Sequence, residues 1–358
     1  MADLFTPLTL RSVTLRNRIG VSPMCQYSAV EGRATDWHVV HLGARAVGGA
    51  GLVMAEATAV APEGRITPGC TGLWEDGQIE HFARVVRFLE EHGAVPAIQL
   101  AHAGRKAGAA KPWDGARHLE LDAGGWESIG PSPMAFGANL PRVPREMSLS
   151  DIRRVQANFV AAARRARAAG FRLLEMHSAH GYLSHSFLSP LSNRRTDAYG
   201  GDFEGRTRFT LETAAALRAA WPEELPFAVR ISCSDWMEGG WTIEESVELA
   251  RRLRALGADL VDCSSGGTSP EAKPPFAPGW QVPFAERIRR EVGIATAAVG
   301  LITEPAKADA IVREGKADLV FLARQLLREP YWPVRAAKEL GRPDAVKFPI
   351  QYGHYLKD

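Results

Sequence analysis

The chain has 358 residues, 46% of them apolar, which is enough material to bury one large core. Its 43 lysines and arginines nearly balance its 41 aspartates and glutamates, and no long basic run marks it as a nucleic-acid binder. No apolar stretch is long enough for a signal peptide or a membrane span. The four cysteines are scattered and form no CxxC pair, so neither a disulfide framework nor an iron–sulfur or zinc site is expected. We therefore expect a cytoplasmic protein that holds no metal and binds neither nucleic acid nor membranes.

Short apolar runs alternate with amphipathic segments along the chain, often with a glycine between them. The first elements, over residues 8–16, are predicted to form a β-hairpin. Buried strands are then predicted, in chain order, at residues 19–22, 52–56, 95–99, 171–177, 227–231, 260–262, 294–299 and 319–322. Helices are predicted at residues 76–92, 152–169, 204–220, 243–256, 283–292 and 304–314, with Ser148 as a start signal for the second.

Eight strands alternating with helices predict an α/β fold, a (β/α)8 TIM barrel rather than an open sheet. Barrels of this kind commonly exceed about 250 residues as one unit. Residues 1–358 are therefore predicted to form a single domain, with the N-terminal hairpin plugging the barrel floor. A long insertion after the third strand, about residues 103–147, is rich in Gly, Pro, Trp and Lys and lacks periodicity. We expect it to be a lid or binding loop on the active-site face.

A cluster of polar residues, His177, His180 and Tyr182, follows the fourth strand. One interpretation of the two histidines is a metal site, although no third ligand at helical spacing accompanies them, and another is a purely structural role. The interpretation that we favour is a pair of N–H donors that polarise one carbonyl oxygen. They would stabilise the enolate-like charge that forms when hydride adds at the β-carbon. The Tyr182 phenol, protonated at neutral pH, is then the predicted general acid at the neighbouring carbon.

Two arginines stand at other strand ends. Arg230 lies within an apolar strand, where it is costly unless paired, so it forms either a buried ion pair or a counter-charge for an electron-rich ring or a phosphate. Gly300 and Arg324 follow the last two strands, where barrels commonly bind phosphate. Gln99 and Ala57 are expected to face a flat ring over the barrel mouth. FMN fits this arrangement, because the dinucleotide and P-loop patterns GxGxxG and GxxxxGK are both absent.

Three segments carry a family resemblance. Segment 22–27 reads Ser-Pro-Met-Cys-Gln-Tyr, segment 177–183 reads His-Ser-Ala-His-Gly-Tyr-Leu, and segment 188–201 reads Leu-Ser-Pro-Leu-Ser-Asn-Arg-Arg-Thr-Asp-Ala-Tyr-Gly-Gly. Over nearly its whole length the sequence resembles the Old Yellow Enzyme family of FMN-dependent ene-reductases, or NADH:flavin oxidoreductases. Within that family it is similar to the xenobiotic-reductase (thermophilic-like) branch, in which a cysteine, here Cys25, replaces the threonine of the founding branch.

The resemblance implies a bound FMN and a set of residues around it. The residues implied to contact FMN are Ser22, Pro23, Met24, Cys25, Ala57, Gln99, Arg230, Gly300, Ala323 and Arg324. The substrate oxygen would be held by His177 and His180. Tyr27 and Cys25 would line the substrate pocket, and Tyr182 would donate the proton. A cysteine beside a flavin can also tune its redox potential.

The implied activity is that of an NAD(P)H:FMN oxidoreductase of the NADPH dehydrogenase type. In a ping-pong cycle, NADPH or NADH reduces the flavin and leaves. An α,β-unsaturated carbonyl compound, a nitro compound or a maleimide then takes hydride from flavin N5 in the same pocket. A single barrel mouth without a dinucleotide-binding domain agrees with two substrates that take turns. Phenols, which mimic the enolate oxygen, are expected to act as inhibitors.

The resemblance also implies a homodimer or homotetramer. In this branch the C-terminal tail often reaches a neighbouring subunit's active site with an arginine. Here the tail, residues 341–358, carries His354 near that place, so we expect a tail at the subunit interface with a different chemistry. Larger relatives with an iron–sulfur cluster and a second flavin domain are excluded by the chain length and the cysteine spacing.

Two other classes of protein remain open. A redox-free barrel, such as a phosphate-binding isomerase or an aldolase, would use Glu56 or Glu175 as its base, because the nearby lysines Lys106 and Lys111 lie in the insertion. A non-catalytic flavin-binding protein would be yellow without turnover, and it would have no need of two histidines and a tyrosine at one strand end.

Overall fold

The computed structural model describes residues 2–356, and its central feature is a closed barrel of eight parallel strands. In chain order the strands are β1 (Leu8–Leu10), β2 (Val13–Leu15), β3 (Ile19–Val21), β4 (Leu52–Ala59), β5 (Val95–Ala101), β6 (Ile129–Gly130), β7 (Arg145–Glu146), β8 (Leu173–Ser178), β9 (Phe227–Ser232), β10 (Leu260–Ser264), β11 (Ala295–Ala298) and β12 (Leu319–Leu322). The barrel consists of β3 to β5 and β8 to β12, and β12 pairs with β3 to close it. At this seam a Cβ on Gly20 would lie 2.6 Å from the Phe321 ring, so the ring needs a glycine beside it.

Helices connect the barrel strands and cover their outer face, which confirms the predicted (β/α)8 TIM barrel. They are α1 (Asp36–Val47), α2 (Ile79–Glu91), α3 (Leu149–Ala168), α4 (Leu183–Leu188), α5 (Phe203–Ala220), α6 (Ile243–Ala255), α7 (Val282–Val292), α8 (Pro305–Arg313), α9 (Arg324–Arg328), α10 (Trp332–Glu339) and α11 (Ile350–Gly353). The six predicted helices are present within a few residues of their expected bounds. As predicted, α3 begins at Ser148, whose hydroxyl accepts the backbone N–H of Asp151 at 3.1 Å.

Helix α1 is missing from the predicted set because part of its buried face is polar. His38, His41 and Arg45 are buried there, so the helix shows weak apolar periodicity. The Arg45 Nε–H donates to the Leu326 carbonyl at 3.1 Å, and His38 contacts Glu56. Local hydrogen bonding therefore replaces the apolar stripe that would have marked this helix in the sequence.

The N-terminal hairpin covers one end of the barrel, as predicted. Leu10 and Leu15 belong to the same buried apolar cluster as the inward-facing residues of the adjacent half of the barrel. Those residues include Leu52, Met54, Ala97, Leu173, Ala228, Leu260, Ala297, Leu319 and Phe321. A second, larger apolar cluster joins the strands to the helices. No helix among the described residues has the length and apolar character needed to cross a membrane.

The insertion at residues 103–147 contains more structure than its composition predicts. Strands β6 and β7 pair in parallel, and single turns of 3-10 helix occur at Gly104–Lys106, Pro112–Asp114 and Leu121–Ala123. The Trp126 indole N–H donates to the Glu63 carbonyl at 2.9 Å. The Trp126 contact anchors the insertion to the loop that follows β4.

Candidate active site

The polar cluster predicted after the fourth barrel strand is brought together at the barrel mouth. His177 lies near the end of β8, and His180 and Tyr182 lie in the turn that leads to α4. The ring centroids of His177 and His180 are 5.2 Å apart with an interplanar angle of 85°, and those of His177 and Tyr182 are 5.1 Å apart at 75°. Within residues 2–356, no three His, Cys, Asp or Glu side chains are grouped so as to hold a metal ion, so the metal interpretation gains no support.

The His177 imidazole is neutral and has a defined tautomer. Burial, followed by the positive charge of Arg230, lowers the pKa of His177 well below its usual range. Its Nδ1 accepts the backbone N–H of Ala179 at 3.2 Å. A neutral imidazole carries one proton, so that proton lies on Nε2, which is therefore a hydrogen-bond donor.

The His180 imidazole is neutral and contacts Ser264. The same two causes lower the pKa of His180, and its Nε2 lies 2.6 Å from the Ser264 hydroxyl oxygen. The Ser264 hydroxyl also lies 3.4 Å from Oε1 of Gln281, an oxygen that accepts from Ser265 at 2.7 Å. The Ser264 proton therefore has two acceptors, Nε2 of His180 and Oε1 of Gln281. When Ser264 donates to Nε2, the His180 proton lies on Nδ1; when Ser264 donates to Gln281, Nε2 of His180 donates to Ser264.

The Tyr182 phenol is protonated throughout the neutral range. Burial, followed by the nearby Cys25 and Tyr27, raises the pKa of Tyr182 well above its usual range. The Lys106 ammonium lies 4.8 Å from the centre of the Tyr182 ring and donates to the His180 carbonyl at 2.9 Å. Lys106 therefore ties the insertion to the turn that carries both residues.

Gln99, Ala57 and Arg230 converge inside the barrel. Ala57 pairs with Gln99 across β4 and β5 after a bulge, and an Arg230 Nη donates to the Ser22 hydroxyl at 3.3 Å. The Arg230 Nε lies 3.0 Å from the Asp262 carboxylate but off the N–H direction, so the two form an ion pair without a directed hydrogen bond. The buried ion pair considered for Arg230 is thus present, and its Nε finds no hydrogen-bond acceptor among the residues described.

A separate cavity of about 170 Å³ lies at the ends of β11 and β12. Gly300, Ala323 and Arg324 line it, together with Gln281 and Arg328. Gly300 has a φ of 124°, and a Cβ there would lie 3.2 Å from the Gln281 amide nitrogen. The glycine keeps the cavity open, and the guanidinium groups make it suitable for a phosphate.

Glu56 contacts the backbone at the end of the segment that contains Ser22, Pro23, Met24 and Cys25. The Glu56 carboxylate accepts the backbone N–H of Gln26 at 3.1 Å, and His38 Nε2 lies 3.1 Å from its other oxygen. Because His38 Nδ1 accepts the Thr35 N–H, its proton lies on Nε2 and points to Glu56. Burial, followed by Glu56, raises the pKa of the Cys25 thiol well above its usual range, so Cys25 is a thiol and not a thiolate.

The insertion brings aromatic rings to this mouth. Trp113 contacts Tyr27 edge to face, with centroids 5.9 Å apart, and Tyr27 itself has a left-handed backbone with a φ of 52°. Phe136 lies under the Lys106 ammonium at 4.3 Å. Two insertion residues therefore reach two predicted site residues, Tyr27 directly through Trp113 and Tyr182 through Lys106.

The chain is similar over most of its length to known flavin oxidoreductases. The model of the NADH:flavin oxidoreductase / NADH oxidase family matches residues 3–343. The chain belongs to this family. An NADPH dehydrogenase from Geobacillus sp. (strain WCH70) is 48% identical over 351 residues, which are 98% of this chain and 97% of that protein.

Solved structures of the same fold extend the comparison. Morphinone reductase in complex with tetrahydroNAD is 27% identical, with a TM-score of 0.79, and the match covers 96% of this chain and 92% of that one. The old yellow enzyme homologue from Zymomonas mobilis superimposes with a TM-score of 0.77 at 24% identity, covering 94% of this chain and 93% of that one. The latter likeness bears on the fold alone.

The protein is therefore an FMN-dependent NAD(P)H oxidoreductase of the Old Yellow Enzyme type. Its residues fit that cofactor. Arg230 offers a buried N–H without a hydrogen-bond acceptor among the described residues, and the cavity at Gly300 and Arg324 offers cationic groups for a phosphate. The redox-free barrel considered from the sequence is set aside.

Two residues of this Old Yellow Enzyme-type site are absent from the predicted set. Ser264 follows Asp262 by two positions on β10, so strand alternation places both on the inner face, and this signal was available in the sequence. Lys106 lies in the aperiodic insertion, and no pattern in the sequence indicates that it reaches Tyr182.

Proposed function

We propose that the protein reduces activated C=C bonds of α,β-unsaturated carbonyl or nitro compounds in a ping-pong cycle driven by NADPH or NADH. The observation that carries the proposal is a pair of neutral histidines, of which His177 presents Nε2–H, beside a protonated phenol. When bound, FMN would supply the redox chemistry, which is uptake of hydride from the nicotinamide and its transfer from N5 to the alkene. The chain's own residues then have to hold an oxygen, place a proton and admit the two substrates in turn.

The two histidines supply the oxygen site. His177 offers Nε2–H, and we propose that His180 offers Nδ1–H while its Nε2 accepts from the Ser264 hydroxyl. The two rings are nearly perpendicular, with centroids 5.2 Å apart. Two fixed donors can converge on one carbonyl or nitro oxygen and become stronger as negative charge develops there. Their lowered pKa values keep both rings neutral, so neither competes as an acid for the proton-transfer step.

Tyr182 is the proposed general acid. Its ring packs edge to face on His177, and this contact supports a phenol next to the proposed oxygen site. Because its pKa is raised, it holds its proton until a carbanion-like carbon accepts it. Tyr27 and Cys25 are proposed to line the same pocket, and phenols, which mimic the enolate oxygen, to inhibit.

The barrel geometry supports alternating use of one pocket. The hairpin closes the floor with Leu10 and Leu15, so both substrates have to enter at the mouth. We further propose that Ser22 to Cys25, Ala57, Gln99, Arg230, Gly300, Ala323 and Arg324 contact FMN, and that the insertion acts as a lid. We propose on the resemblance that the chain belongs to the xenobiotic-reductase branch and forms a homodimer or homotetramer joined through the tail near His354. The single domain is proposed on the usual length of barrel folds, and the cytoplasmic location on the scattered cysteines.

The proposal is tested on the purified yellow protein without oxygen. NADPH should bleach the flavin absorbance, and 2-cyclohexenone should restore it. Tyr182→Phe should slow the restoration by about 10²- to 10⁴-fold and leave the bleaching by NADPH nearly unchanged. The matched control is Tyr199→Phe. It removes a phenol that lies away from the mouth and donates a hydrogen bond of 2.8 Å to Glu212.

Two outcomes would contradict the proposal. Bleaching by NADPH without restoration by enones or nitroalkenes would leave the flavin chemistry intact but remove the proposed substrate class. Equal slowing of both half-reactions in Tyr182→Phe would remove Tyr182 from the role of proton donor.

A further inference from the structure

Three ionisable side chains lie on adjacent strands inside the barrel. Glu175 is on β8, Arg230 on β9 and Asp262 on β10, and Asp262 pairs directly with Arg230 in the strand register. The two carboxyl groups are 0% exposed and Arg230 is 6% exposed. The proposed oxygen and proton sites use none of the carboxyl groups, so their presence requires a separate explanation.

The contacts of the two carboxyl groups differ. Oε1 of Glu175 accepts from the Gln99 amide at 2.7 Å, while its Oε2 has no hydrogen-bond partner among the described residues. Asp262 lies 3.0 Å from the Arg230 guanidinium, and neither carboxylate oxygen accepts a well-directed hydrogen bond from any described residue. Arg230 thus neutralises Asp262, and Glu175 has only a neutral amide.

The charges around this group do not balance if both carboxyl groups are ionised. The other barrel strands contribute neutral groups: Ser22 directly after β3, Ala57 from β4, Gln99 from β5, Ala297 from β11 and Phe321 from β12. Glu56 of β4 contacts His38 and the Gln26 N–H instead. On β8 itself the next inward-facing residue, His177, is neutral. Two carboxylates against one guanidinium would bury one uncompensated negative charge away from water, which costs several kcal/mol per ion.

We propose that Glu175 and Asp262 hold one proton between them, carried on Oε2 of Glu175, so that a single carboxylate faces a single guanidinium inside the barrel. Glu175 is then a neutral carboxylic acid and a positioning residue that holds the Gln99 amide. It remains neutral although it lies next to an arginine, because Asp262 already compensates the arginine charge.

The pKa directions agree with this placement. Burial, followed by the charge of Asp262, raises the pKa of Glu175, while Arg230 and Gln99 lower it by less. Burial also raises the pKa of Asp262, but there Arg230 is the opposing influence. The ion pair therefore favours ionised Asp262, and the proton remains with its neighbour.

The first test is infrared spectroscopy of the holoenzyme. The wild type should show the carbonyl stretch of a protonated carboxylic acid, which shifts when the protein is reconstituted with FMN in D2O and disappears in Glu175→Gln. It should also disappear in Asp262→Asn, which retains Glu175, because Glu175 must then ionise to neutralise Arg230. Asp235→Asn is the control. Burial alone would raise the pKa of Asp235, but His185 and its hydrogen bonds lower it to about 2, so this variant should keep the band.

The second test uses the pH dependence of stability. The folded pKa of Glu175 is above its unfolded value of about 4.3, so the native state binds more protons and loses stability as pH rises toward the folded pKa. Relative to Glu175→Gln, the unfolding equilibrium constant of wild type should increase by up to about tenfold per pH unit in that window. A band that persists in Glu175→Gln, or parallel pH profiles of the two proteins, would overturn the proposal, as would a band that persists in Asp262→Asn.

Discussion

The two halves of the barrel interior have opposite chemistry although the same strands build both. Near the floor, Leu173 and Leu260 face inward from β8 and β10 within an apolar cluster. Two positions further along the same strands, Glu175 and Asp262 face inward with Arg230 between them. Side chains two residues apart in a strand point to the same face of the sheet. Two residues along each strand are therefore enough to change the barrel interior from apolar to charged side chains.

Along the barrel axis, the apolar half near the floor contributes stability, and the charged half near the mouth contributes chemistry. Burial of aliphatic side chains at the floor contributes favourably without any geometric requirement. The charged half contributes little net stability, because each buried ion has to be paired or neutralised. The apolar half therefore supports a set of polar groups that would be unfavourable alone, and each half should respond differently to mutation.

Removing volume near the floor should have the largest effect, and it should fall on stability. Leu173→Ala leaves a cavity in the apolar cluster and should lower the free energy of unfolding by about 2–5 kcal/mol. Urea denaturation of the holoenzyme measures this. Leu173→Met, which nearly conserves volume, should cost less than about 1.5 kcal/mol. If Leu173→Ala slowed flavin reoxidation by the alkene as strongly as Tyr182→Phe, the two halves would not be separable.

A mutation at the mouth should affect binding and spare stability. Ser264→Ala removes the hydroxyl that we propose donates to Nε2 of His180, so the Nδ1–H tautomer is no longer enforced. Phenol affinity, titrated through the flavin absorbance, should fall roughly two- to tenfold, the value of one hydrogen bond. Ser265→Ala removes the neighbouring hydroxyl, which does not contact His180, and should change the phenol affinity less. An equal loss in both variants would mean that the tautomer is set elsewhere.

The effect of the lysine at the mouth is expected as a change in the pH dependence of stability. Burial, followed by Arg105, lowers the pKa of Lys106 to about 7, below the unfolded value of about 10.4. The native state then binds fewer protons between these values, so wild-type stability should rise with pH in that window relative to Lys106→Met. Lys111→Met, in the same insertion, is the control. Parallel profiles for wild type and Lys106→Met would show that Lys106 remains charged when folded.

The regular part of the molecule could be predicted because its signals are local. Each barrel strand is a short apolar run, and glycines end several of the helices, so fold and strand order follow from the sequence. The polar residues after those runs, such as His177 and Arg230, were predicted to meet because the ends of parallel strands share one rim. The structure brings both of them to that rim.

The remainder depends on contacts between distant segments. Lys106 reaches Tyr182 from an insertion without periodicity, and α1 buries polar residues that mask its helical pattern. The tautomer of His180 depends on Ser264, 84 residues away in sequence. The tail near His354 stays a prediction, and residues 357 and 358 of that tail lie outside the described residues.

The hairpin across the barrel floor has a consequence for exchange with solvent. Leu10 and Leu15 seal one end of the interior, so hydrogen ions reach Glu175 only from the mouth. A flat ring seated over the mouth would seal the other end as well. The hydrogen on Glu175 would then exchange with D2O no faster than FMN dissociates. Its exchange rate would therefore report the lifetime of the FMN complex.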